Sequence, residues 1–222
     1  LASLRRAGFA VAHLVPASGI VRGQSAIASL AAVGKNEAVL RTDVAQILSL
    51  ETQPGGYPGS LMGAVAVVRQ AFMDARWYDD VWGRYQKSPS GKPKPKTSVS
   101  WAALKPAVDG TQPVFIETHG MLEVLRAAAI AGEAKVTPRI IGSGDEYKRV
   151  KDIAALNVPL IVPDNYPDAP EFETSDDALE IGLTDLRYWN DAPGNAAALA
   201  KAGARFALTA FKLKDPTSFR GA

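Results

Sequence analysis

The chain has 222 residues, 25 Lys plus Arg against 23 Asp plus Glu, and no cysteine. This balance is too even to imply a nucleic-acid or membrane-surface partner, and the missing thiols exclude disulfides, thiolate metal sites and a cysteine nucleophile. At 47% hydrophobic residues a core can form, no uncharged apolar run reaches the roughly 18 residues of a membrane span, and the length fits one domain or one and a half at roughly 150 residues each.

The chain opens at Leu1, with residues 1–6 (LASLRR) reading as the end of a helix, and it stops at Arg220-Gly221-Ala222 with no closing element. The expectation is a piece of a longer protein, so a missing signal peptide says nothing about where the parent resides. Residues 8–15 (GFAVAHLV) form an apolar run closed by Pro16 and predict a buried strand. Residues 36–51 alternate weakly, as a hairpin or an irregular excursion. Residues 53–59 (QPGGYPG) are a turn cluster. From Ser60 the spacing of Leu61, Val65, Val68 and Phe72 predicts a long amphipathic helix to about Tyr85. Residues 88–98 (SPSGKPKPKTS) read as a mobile, solvated Pro/Lys linker, and residues 101–108 as a short helix.

From there a strand and a helix alternate. Residues 113–116 (PVFI) predict a strand and 120–134 a helix striped by Leu122, Leu125, Ala129 and Ile130. Residues 139–141 predict a third strand and 145–156 a helix with Tyr147, Val150 and Ile153 on one face. Residues 158–162 (VPLIV) predict a fourth strand, 192–202 a helix with Pro193 in its first turn, and 205–209 (RFALT) a fifth strand. Short connections between such units argue for an α/β fold with a parallel sheet, either a barrel or a doubly wound sheet.

In parallel α/β folds chemistry collects where strands end and helices begin. Glu117-Thr118-His119 follows the PVFI strand. A carboxylate and an imidazole two residues apart on a strand end point the same way. They can hold a divalent metal, act as an acid–base pair, or cap the next helix. Gly142-Ser143-Gly144 followed by Asp145-Glu146 resembles a phosphate-cradling turn. Two acids repel an anion there, so a tight turn with acids at a helix N-terminus explains it better. Residues 163–168 (PDNYPD) line a pocket or redirect the chain. His13 reads as a hydrogen-bonded core residue. A triad using Ser60 or Ser143 lacks the Gly-x-Ser-x-Gly elbow. Trp77, Tyr78, Trp82 and Tyr85 read as packing residues.

Five stretches together carry a resemblance. They are residues 4–26 (LRRAGFAVAHLVPASGIVRGQSA), 55–78 (GGYPGSLMGAVAVVRQAFMDARWY), 113–128 (PVFIETHGMLEVLRAA), 139–150 (RIIGSGDEYKRV) and 189–209 (WNDAPGNAAALAKAGARFALT). In order and number they resemble the imidazolonepropionase-like branch of the amidohydrolase superfamily. The resemblance implies a (β/α)8 barrel of the metallo-dependent hydrolase kind, with a divalent metal, zinc first, at the C-terminal ends of the strands. A metal-activated water there would hydrolyse a C–N bond of a cyclic amide or dipeptide. It also implies a soluble, periplasmic or secreted bacterial parent.

Carried over residue by residue, His119 matches one member of a His-x-His pair and Glu117 replaces the other, so these two are the expected metal ligands. Gly142 stands where a histidine is expected. The acid expected after the last strand falls near Phe211, and the nearest one is Asp215. Two readings follow: a metal-dependent hydrolase acting on a small molecule, or a degenerate barrel serving as a binding or partner subunit beside another barrel. A complete barrel takes about 250 residues. The expectation for residues 1–222 is therefore one incomplete barrel domain of about five strands with exposed sheet edges. Residues 36–98 are expected to add little to it.

Overall fold

The computed structural model describes residues 2–31, 33–34, 37–52 and 55–220. The chain begins with α1 (Ala2–Arg6) and five short strands, β1 (Val11–Leu14), β2 (Val21–Gln24), β3 (Ala26–Ser29), β4 (Val39–Arg41) and β5 (Gln46–Ser49). β1, β3 and β4 form an antiparallel three-stranded sheet in the order β1-β3-β4. β2 leaves that sheet and pairs antiparallel with β5. Two helices then intervene, α2 (Leu61–Lys87) and α3 (Val99–Val108), before β6 (Val114–Glu117).

α2 buries Ala64, Val68, Phe72 and Ala75, a stripe spaced by three and four residues, and begins where Gly63 donates its N–H to the Ser60 hydroxyl at 3.2 Å. Ser98 caps α3 in the same way, accepting from the Trp101 N–H. After β6 come α4 (Met121–Glu133), β7 (Pro138–Ile141), a 3-10 turn leading into α5 (Val150–Ala155), and β8 (Leu160–Pro163). The chain then adds α6 (Ser175–Glu180), α7 (Leu183–Asp191), α8 (Asn195–Lys201) and β9 (Phe206–Thr209).

β5, β6, β7, β8 and β9 pair in parallel, in chain order. With β2 they make a six-stranded sheet that ends at β2 and β9 among the described residues. Alternate strand residues Val114, Ile116, Ile140, Leu160 and Val162 pack with Phe72, Val124, Ile130 and Leu199 from the helices. The result is a mixed α/β fold built on a parallel sheet, and its parallel strands all deliver their C-terminal ends to one side.

Three expectations are corrected. Residues 8–15 are not a buried strand of the parallel sheet: β1 lies in the smaller sheet, and its Val11 and Leu14 are 50% and 44% exposed. A three-stranded sheet leaves such a strand open to solvent on one face. The buried strand is β5, inside the stretch read as a hairpin or excursion, and all four of its residues are buried. Residues 36–98 thus supply a central strand of the sheet. The helix expected over 145–156 opens instead as a 3-10 turn, Glu146–Arg149, because the Glu146 side chain folds back on the preceding loop. The turn expected over 53–59 is described from residue 55 onward, and residues 53 and 54 lie outside the described residues.

Candidate functional site

Glu117 is the last residue of β6, in register with Ser49 of β5 and Ile141 of β7, so its side chain stands at the C-terminal rim of the parallel sheet. His119 follows two residues later, and its Nε2 lies 3.7 Å from Glu117 Oε1. The expected juxtaposition of the two side chains is present. Around them gather groups that sequence spacing did not join. Arg22 of β2 donates from Nη1 to Glu117 Oε2 at 2.6 Å, with its Nε on the Gly19 carbonyl. Lys212, just beyond β9, places Nζ 3.0 Å from Glu117 Oε1. Glu51, after β5, is 3.5 Å from His119 Nε2, and Glu123, in the first turn of α4, is 3.5 Å from His119 Nδ1. The His119 backbone N–H also donates to Glu123 at 2.9 Å.

The electrostatics are self-contained. Three carboxylates, Glu51, Glu117 and Glu123, face two permanent cations, Arg22 and Lys212, with the His119 ring among them. Burial pushes the Glu117 carboxyl up, but hydrogen bonds and charge from Lys212 and Arg22 outweigh it and hold the group below its ordinary value. The hydrogen bond to Glu123 raises His119 against the opposing pull of burial and Lys212, with Glu51 and Glu117 adding attraction. The same hydrogen bond lowers Glu123. The Lys212 backbone, at a φ of 69°, occupies the left-handed region that side-chain-bearing residues seldom adopt, and its ammonium closes onto Glu117 from there.

This arrangement does not fit a divalent metal. A metal needs lone pairs at about 2.0–2.2 Å from oxygen and nitrogen ligands. Both Glu117 oxygens already receive cationic donors. His119 already has an acidic neighbour at each ring nitrogen, Glu51 at 3.5 Å from Nε2 and Glu123 at 3.5 Å from Nδ1. Next to Glu117 lies a recess of about 100 Å³ whose lining includes His13, Phe115, Ile161, Thr209 and Phe211. That is below the roughly 300 Å³ at which small-molecule sites begin. Phe211, where the resemblance expects an acid, is an apolar wall of this recess, 40% exposed.

Gly142 also has a structural explanation. A Cβ built there would meet Glu146 Oε1 at 2.3 Å. Glu146 is fully buried and accepts from the Ser143 N–H at 2.7 Å, the Gly144 N–H at 3.1 Å and Asn195 Nδ2 at 2.6 Å. Backbone donors of the kind that cradle phosphate therefore hold an internal carboxylate, in keeping with the tight-turn reading. A histidine side chain at 142 and the observed Glu146 position are mutually exclusive.

The other candidates fall apart as catalytic groups. His13 lies on exposed β1 and not in the core. Its Nε2 is 2.7 Å from Ser25 Oγ, its ring packs edge-on against Phe115, and partial burial lowers its pKa. Ser60 caps α2, and Ser143 bonds Asp145 at 2.6 Å. In the 163–168 loop Asp164 is buried, and Tyr166 is pushed up to about 12 by burial and its hydrogen bond to Asp164. Tyr78, Trp82, Tyr85 and Trp101 pack ring against ring, with Trp77 reaching Trp101 while remaining 58% exposed.

Arg22, Lys212, Glu51 and Glu123 are the site residues that sequence reasoning missed. The available signals were an arginine inside an otherwise weakly polar strand and a lysine where an acid was sought. A solved structure of an amidohydrolase from Thermotoga maritima MSB8 is similar to this chain, with a TM-score of 0.72 at 20% identity. The match covers 98% of this chain and 56% of that one, so the chain spans about half of its length. This likeness shows a shared fold. No family model matches the sequence. No curated protein matches it either.

Proposed function

We propose that this chain is part of an amidohydrolase-type (β/α)8 barrel, one incomplete barrel domain over residues 1–222, and that it serves as a binding or partner subunit rather than as the hydrolytic centre. The carrying observation is the state of Glu117, whose two oxygens are held by Arg22 at 2.6 Å and Lys212 at 3.0 Å. The strand-end position that would present a carboxylate to a metal is closed by the protein's own cations. Glu146 filling the space beside Gly142 supports the same reading. The five parallel strands and the amidohydrolase neighbour support the barrel. Its narrower placement near the imidazolonepropionase-like branch rests on the sequence stretches alone.

The second reading, metal-dependent hydrolysis of a cyclic amide or dipeptide C–N bond by the parent protein, is favoured by the neighbour's description as an amidohydrolase. In that reading zinc sits on His119 and Glu117. The test is the zinc, iron and manganese content of protein expressed from its complete reading frame in metal-supplemented medium, with a screen of cyclic amides and dipeptides. Metal far below one per chain and no turnover are expected. Near-stoichiometric metal with turnover overturns the first reading and establishes the second.

A further inference from the structure

Outside the strand-end cluster, a recess of about 570 Å³ runs between α2 and α4. Its apolar lining includes Leu61, Met62 and Val65 from α2 and Ile130 from α4, and its charged lining is Arg69 and Arg126, with no acidic residue. Ile130 is a buried floor, whereas Met62 is 81% exposed on a helix whose opposite stripe is fully packed. The two arginines differ. Arg69 is spent in a two-pronged pair with Glu133, at 2.6 and 2.8 Å, which ties α2 to the end of α4. Arg126, two turns earlier on α4, forms no ion pair among the described residues. Glu123, which feels its charge, is bonded to His119 instead.

We propose that this groove binds a free medium-chain carboxylate, its head on the Arg126 guanidinium and its alkyl chain over Leu61, Val65 and Ile130 toward the Arg69–Glu133 strut. Two features select this occupant. The volume falls within the 300–1,000 Å³ of small-molecule sites. One unspent guanidinium at one end of an apolar trough matches one negative charge at one end of an apolar chain, in the planar geometry that guanidinium and carboxylate share. Exposed methionine supplies an adaptable lip.

The test uses the full chain labelled with ¹³C at the methionine methyls and titrated with decanoate or decanol below the concentration at which decanoate forms micelles. The sequence has three methionines, so Met62 can be assigned by single substitution. The expected result is a saturable shift of the Met62 signal with decanoate. Arg126→Gln should weaken decanoate at least tenfold and leave decanol unchanged, and Ala66→Asp, at an exposed lining position, should weaken both. No saturable Met62 shift, or equal weakening of the acid and the alcohol by Arg126→Gln, overturns the proposal. So does broadening confined to Met62, and not shared by Met73 and Met121, that follows protein concentration and ignores decanoate, which assigns the face to a second copy of the chain.

Discussion

Removing Glu117 and removing Lys212 leave very different remainders. The Arg22 and Glu117 side chains are 6% and 7% exposed, so Glu117→Gln leaves a buried guanidinium with only the more distant, exposed Glu51 at 3.8 Å as counter-charge. A loss of about 3 kcal/mol is expected, the scale for breaking a buried pair from one side. Lys212 is 36% exposed, and water can replace its ammonium at Glu117, so Lys212→Ala should cost under about 1 kcal/mol. Urea denaturation of the two variants checks this, and equal losses would mean that Arg22 does not depend on Glu117.

The same cluster sets a pH window. His119 holds its proton more tightly in the fold than in the open chain, so its contribution is complete below the ordinary value of 6.5 and fades as pH rises through the higher folded value. Glu117 and Glu123 are held below 4.5, so theirs is complete above that value and fades as pH falls through the lower folded values. Between about pH 4.5 and 6.5 both contributions are present. Replacing His119 by Gln should flatten the decline above that window. His13, lowered by burial, works in the opposite sense. The urea midpoint of wild type minus that of His119→Gln, followed across pH, is therefore the informative quantity. At this scale the Glu117–His119 pairing was legible because a two-residue spacing returns side chains to one face. Arg22 was not, because it reaches Glu117 across 95 residues of sequence.

Among the elements, the turn after β7 shows how one glycine and one acid fix a local path. Gly142→Ala forces its methyl against Glu146 and should cost about 2 kcal/mol. Glu146→Ala leaves two backbone N–H groups and the Asn195 amide without their acceptor, a loss of about 1–3 kcal/mol. The two are coupled. With Glu146 gone, the alanine methyl finds space, so Gly142→Ala in that background should cost under about 0.5 kcal/mol. A denaturation double-mutant cycle measures the coupling, and strict additivity would contradict the account. The β/α units from β6 to β9 were legible because each apolar run is bounded by its own turn and followed by a helix-spaced stripe. β5 was not: its ends are Gln46 and Ser49, polar residues buried in the sheet, so QILS lacks the look of a core strand. β1 misled for the opposite reason, since its apolar residues sit in a thin sheet with one open face. β2, β3, α6 and α7 gave no periodicity long enough to read.

At the scale of the whole chain, the described residues leave β9 as a terminal strand of the parallel sheet. The parallel sheet stops at β9 among the described residues, and a terminal strand presents a row of N–H and C=O groups to any incoming strand. β9 holds neither proline nor charge, and Leu208 is 46% exposed. The smaller sheet adds a second apolar area, with Val11, Leu14, Val39 and Leu40 between 44% and 57% exposed. Charge cannot hold copies apart, because the net value is only +2. The 222-residue chain is therefore expected to self-associate at micromolar concentration. The β9 edge and the smaller sheet make separate contributions, which one substitution resolves. Leu208→Lys places a charge on the edge strand, the common natural guard against edge pairing, at a position too exposed to disturb the core. Sedimentation velocity should show the wild type distributed over dimers and larger species and the variant shifted toward monomer. If Leu208→Lys leaves the distribution unchanged while Leu40→Lys collapses it, association runs through the smaller sheet and the β9 edge is already protected. A wild type that sediments as a monomer and unfolds in one sharp cooperative transition would mean that neither boundary is sticky enough to act.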